Sequence, residues 1–140
     1  MKYYKNAKPS GMVLVFVIGL GLFIVLGPVL SPQYVIAANY GLDLAIAFGG
    51  YALLDVVLTL YTEVSKRDVK RNPKVSMLIA FGICSLFEFA QLIQTTASFM
   101  FSYHFRGTFD FPGDFIAYIV GIIISELVIQ KFVYTTKSSL

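Results

Sequence analysis

Four long apolar runs separated by short polar connections organise this chain. The first covers about residues 12–30 and holds no charge; it closes on Pro28 and Pro32, where a helix is hard to continue. The others cover about 43–63, 75–97 and 114–132. A helix rising about 1.5 Å per residue needs about 20 residues to cross some 30 Å of hydrocarbon, and every run meets that length or falls short by a residue or two. Only helices and closed barrels satisfy their own backbone polar groups in lipid, and runs of this length are helical. The pattern predicts an all-α fold, a four-transmembrane-helix bundle forming one integral membrane domain over residues 1–140.

Charge adds an orientation. Lys2, Lys5 and Lys8 precede the first run; Lys66, Arg67, Lys70, Arg71 and Lys74 fall between the second and third; Lys131 and Lys137 lie at or beyond the end of the fourth. The other two connections hold only Arg106. Basic residues accumulate on the cytoplasmic side of membrane helices, so both termini and the 66–74 cluster are expected there. Composition fits: 57% hydrophobic and 14% charged residues exclude an ordinary soluble domain. An isoelectric point near 9.0 would suggest nucleic acid in a soluble chain. Here topology and anionic lipid account for the positive charge, and no nucleic-acid partner is expected. The first run is too long for a signal-peptide core and reads as a retained helix. The single cysteine, Cys84, lies inside an apolar run and reads as a small buried hydrophobe; one cysteine forms no disulfide within the chain and no cysteine metal site.

Ionisable groups inside the runs need a reason, because each costs at least about 2.5–3.5 kcal/mol to insert. Tyr51, Asp55, Thr59 and Thr62 share one face of the second helix. Glu88, Gln91 and Thr95 form a stripe on the third, and Asp114, Tyr118, Gly121 and Ser125 one on the fourth, with Glu126 deeper. Asp43 opens the second helix. Asp114 follows Pro112-Gly113 and is also placed to cap the fourth helix. Between the third and fourth runs, aromatics occupy alternate positions from Phe99 to Phe111, which suggests an aromatic-rich outer loop. That loop is read either as an extended interfacial anchor or as a segment dipping back to line a polar cavity.

In order along the chain stand Glu88-x-x-Gln91, then Arg106-Gly107-Thr108-Phe109, then Asp114-x-x-x-Tyr118-x-x-Gly121. This arrangement resembles the VanZ-like membrane proteins. It is closer still to a related family of small uncharacterised bacterial multi-pass membrane proteins, whose members often open the second helix with Gly-Asp and place a Tyr eight residues on. Here Leu42-Asp43 and Tyr51 occupy those positions, with Leu in place of Gly. The likeness spans about residues 40–124. It implies a bacterial inner-membrane protein of the cell envelope, in a group associated with glycopeptide resistance.

Glu88, Gln91, Arg106, Thr108, Asp114 and Tyr118 are thus the candidate ligand-binding residues, with Asp43, Tyr51, Asp55 and Glu126 as further intramembrane polar groups. The expected function is binding of a lipid head group or lipid-linked envelope precursor at the outer leaflet, where the Arg106 guanidinium suits phosphate. The alternative is an accessory or structural subunit, docked to a membrane protein partner or to further copies of itself. Catalysis is the weaker expectation, since no nucleophile stands beside a convincing base and the only His is His104. No cofactor or metal is expected. The acids also leave ion or proton transport open.

Overall fold

The computed structural model describes residues 7–30, 40–96 and 111–134. Four α-helices make up these residues: α1 (Pro9–Ile24), α2 (Leu42–Ser65), α3 (Pro73–Thr96) and α4 (Gly113–Phe132), with no strand among them. The boundaries lie within three residues of those expected, apart from the end of the first run. There α1 stops at Ile24 and a π-helical turn, Val25–Val29, takes over. Pro28 has no N–H to return to Ile24, so the ladder widens and the Leu30 N–H bonds to the Val25 oxygen, five residues back, at 2.8 Å. α2, α3 and α4 are long and apolar enough to cross a membrane; α1, at 16 residues, is shorter. The aromatic loop expected between α3 and α4 lies almost wholly outside the described residues.

Local chemistry sets the ends. α3 begins at Asn72-Pro73: proline suits the first helical position, and the Asn72 oxygens accept the N–H groups of Val75 and Ser76. α2 ends at Lys66, whose left-handed backbone (φ 53°) turns the chain sharply back.

α2 and α4 run parallel and in register. Asp43 meets Tyr118 and Tyr51 meets Glu126, both at a sequence offset of 75, and the Ser125 hydroxyl donates to the Phe48 carbonyl at 3.0 Å. A constant offset is what parallel packing demands. Gly121 permits the close approach, since any Cβ there would overlap the Leu44 carbonyl oxygen. α1 runs antiparallel to α4: its first turn rests on the end of that helix, with Gly11 against the Phe132 backbone and the Lys8 N–H donating to the Val133 oxygen at 3.1 Å. Farther along, Gly19 packs on the Phe48 ring. α3 joins through Phe81 and Phe89, whose rings meet Phe115 at 6.0 and 6.4 Å.

The bundle is inside out relative to a water-soluble protein. Phe16, Leu53, Leu78, Leu86 and Leu127 stand exposed, while Asp55, Arg71, Glu88, Asp114 and Glu126 are buried. Such an apolar exterior is a liability in water and suited to lipid.

Candidate functional site

Two polar centres occupy the core, one midway along α2 and one at the end where α2 and α4 begin. Lys8, Lys66, Arg67, Lys70, Lys74 and Lys131 lie toward the same end of the bundle as the first, which is called the basic end. There Arg71 is buried at 5% exposure between two acids. Its Nε donates to Asp55 Oδ1 at 2.8 Å, its Nη1 to Glu126 Oε1 at 2.8 Å, and its Nη2 to Glu126 Oε2. The planar guanidinium thus grips Glu126 by two parallel bonds and Asp55 by one. Tyr51 donates to Glu126 Oε2 at 2.6 Å, Gln130 Nε2 to Glu126 Oε1 at 2.6 Å, and Tyr134 to Asp55 Oδ2 at 2.9 Å. The guanidinium also lies over the Tyr134 ring, 4.7 Å from its centroid. Burial works against the charge on Arg71, but the Glu126 and Asp55 carboxylates outweigh it and hold its pKa above the usual arginine value. Burial, and then the Asp55 carboxylate, push the Tyr134 phenol up, so it stays a neutral donor.

Arg71, counted among the basic residues between the second and third runs, is thus a buried one. α2 rises about 15 Å from Asp55 to Ser65, farther than an arginine side chain extends, so residues 66–72 must double back along it to bring Arg71 into the core. Thr59 and Thr62, both buried, lie on the face of α2 between the centre and that turn; their hydroxyls bond back to the Asp55 and Thr59 carbonyls. The signal was present in the sequence. Asp55 and Glu126 lie deep in apolar runs and need a cation, and Arg71 is the basic residue next to the Asn72-Pro73 helix start.

The second centre, at the acidic end, gathers Asp43 from α2, Glu88 from α3, and Asp114 and Tyr118 from α4. The Tyr118 hydroxyl touches Glu88 Oε1 and lies 3.4 Å from Asp43 Oδ1. The carboxyl groups of Asp43, Glu88 and Asp114 are close enough to feel one another as charges. Glu88 is only 1% exposed, and its Oε2 has no hydrogen-bond partner among the described residues. Asp114 is the second residue of α4, behind Pro112 at the N-cap, so it sits in the first turn, where its charge complements the helix dipole. Gln91 belongs to α3, but its side chain is outside the description; Arg106 and Thr108 fall outside the described residues altogether. Among the described residues no group of three or more His, Cys, Asp or Glu is placed to hold a metal ion.

The structure therefore brings Glu88, Asp114 and Tyr118 together, adds Asp43 to them, and assigns Tyr51, Asp55 and Glu126 to a separate centre around Arg71. The first gathers three carboxyl groups around a phenol. The second is held together by one guanidinium, two phenols and an amide. No protein-family model, curated protein or solved structure matches the chain. Fold and sites together define a helical protein with the apolar surface of a membrane protein and two buried tyrosine–carboxylate centres.

Proposed function

We propose that this is a bacterial inner-membrane protein that binds a lipid head group or lipid-linked envelope precursor at its acidic end, with both termini cytoplasmic. The observation that carries the reading is the meeting of three carboxyl groups, Asp43, Glu88 and Asp114, at the Tyr118 hydroxyl. Neighbouring carboxylates disfavour one another's charge, so the site favours a ligand that brings donors or positive charge. Sugar hydroxyls and a head-group ammonium both do. The positive-inside bias puts the acidic end at the outer leaflet. Arg106 and Thr108, eight and six residues before Asp114 in the sequence, carry donor groups of the kind that suits phosphate. The resemblance to VanZ-like proteins points to the same compartment.

Native mass spectrometry of protein purified from bacterial membranes tests this. Wild type should retain a lipid with an amine-bearing or glycosylated head group, and Glu88→Leu and Asp114→Leu should lose it while keeping their helical circular dichroism. Arg106→Gln should weaken retention of phosphate-bearing lipid specifically. Equal retention by wild type and both leucine variants sinks the proposal. Recovery of a stoichiometric membrane protein in place of lipid replaces it with the accessory-subunit reading.

A further inference from the structure

A groove of about 430 Å³ opens between α1, α2 and α4, away from the acidic end. Phe16, Leu20, Leu53, Val56 and Ile129 are among the apolar side chains that form its walls, and Asp55 is its one ionisable lining residue. The volume is that of a small-molecule site, and an apolar cleft with a single placed polar group is the usual form of one. Phe16, Leu20 and Leu53 are exposed, so the mouth faces sideways into the surroundings of the bundle.

We infer that this groove binds lipophilic cations, with the Asp55 carboxylate as their counter-charge. The first reason is charge. The basic-end centre sets two carboxylates against one guanidinium, so with both acids ionised it holds an excess negative charge. Arg71 gives two of its three carboxylate bonds to Glu126, which also receives Tyr51 and Gln130. Asp55 receives one bond from Arg71 and one from Tyr134. A carboxylate offers about four acceptor positions, so the two bonds to Asp55 leave part of its capacity unused. The second reason is environment. Asp55 lies about halfway along the 24-residue α2, where an uncompensated charge costs at least about 2.5–3.5 kcal/mol. A small inorganic cation needs several oxygen ligands, and the groove offers a single carboxylate. A cation wrapped in hydrocarbon needs none, already partitions into lipid, and meets apolar walls.

Gly49 lines the groove, and a Cβ built on it meets nothing within 4 Å, so this position allows the groove to be filled without touching the polar centre. The probe is tetraphenylphosphonium, with tetraphenylborate as a control of like shape and opposite charge. Full-length protein in phosphatidylcholine nanodiscs is titrated by equilibrium dialysis, and binding to empty discs is subtracted. Wild type should bind the phosphonium saturably at one per chain and the borate at least tenfold more weakly. Asp55→Asn and Gly49→Leu should each weaken phosphonium binding at least tenfold; if Asp55→Asn does not fold, the Gly49→Leu result decides. Binding no greater than to empty discs, equal binding of phosphonium and borate, or an unchanged affinity in Gly49→Leu would each overturn the inference. The groove would then be a seat for bilayer acyl chains.

Discussion

Arg71→Met should be among the most damaging single substitutions in this protein. The change keeps an unbranched side chain of similar length and removes every bond to Asp55 and Glu126. Three charge-assisted bonds are lost. Each is worth roughly 1.5–3 kcal/mol in isolation, but they share one guanidinium and do not add. Removing one member of a buried ion pair costs about 3–5 kcal/mol, because the partners are left buried and unpaired. A loss of about 4 kcal/mol is therefore expected, a large share of the roughly 5–15 kcal/mol that holds a typical protein folded. Unfolding by SDS from dodecylmaltoside micelles, followed by far-UV circular dichroism, measures it. Arg67→Met and Lys74→Met serve as controls, since both residues are exposed and should stay within about 0.5 kcal/mol of wild type. Neutralising the acids as well, in Arg71→Met with Asp55→Asn and Glu126→Gln, should recover most of the loss, since a buried ion cluster replaced as a unit is close to neutral. If Arg71→Met behaves like the two controls, Arg71 is a solvated surface charge and the fold-back of residues 66–72 is wrong. If the triple variant is no better than the single, the cost does not come from unpaired carboxylates.

Two further predictions use the same unfolding assay. Gly121→Ala drives a methyl into the Leu44 carbonyl and should cost about 1–3 kcal/mol, whereas Gly82→Ala, where a Cβ meets nothing, should be neutral or stabilise by up to about 1 kcal/mol; equal effects would refute the α2–α4 register. Tyr134→Phe tests the alkaline limb. The folded phenol keeps its proton above the ordinary tyrosine pKa of about 10, so its contribution is complete below that pH and is lost as pH rises, because the unfolded chain sheds its proton first. Wild-type stability should thus fall more steeply above pH 10 than that of Tyr134→Phe, and identical slopes would count against the Asp55–Tyr134 bond.

The helices were legible because lipid imposes one length on every crossing and punishes exceptions. The same penalty made the buried faces readable: Tyr51, Asp55, Thr59 and Thr62 are all buried, as are Asp114, Tyr118, Gly121 and Ser125. Pro28 was visible as a terminator, but whether its helix stops or widens into a π turn depends on the carbonyl left without a donor. Arg71 lies in the connection that the charge count gave it, but such counting carries no depth, and a connection that doubles back delivers its charge to the interior. The pairing of Asp43 with Tyr118 and of Tyr51 with Glu126 has no local signature, since the offset between parallel helices is set by where Gly121 lets them touch.

The Arg71 centre also bears on the order of assembly. Asp55 leaves the ribosome sixteen residues ahead of Arg71, and Arg71 fifty-five ahead of Glu126. While only α2 and α3 are in place, the guanidinium has one carboxylate to hold and lacks the α4 residues that close over it. Until α4 arrives, Arg71 therefore lacks two of its three carboxylate bonds. Glu126 closes the two-pronged grip only once α4 is in place, so the centre ties the last helix to the connection between α2 and α3.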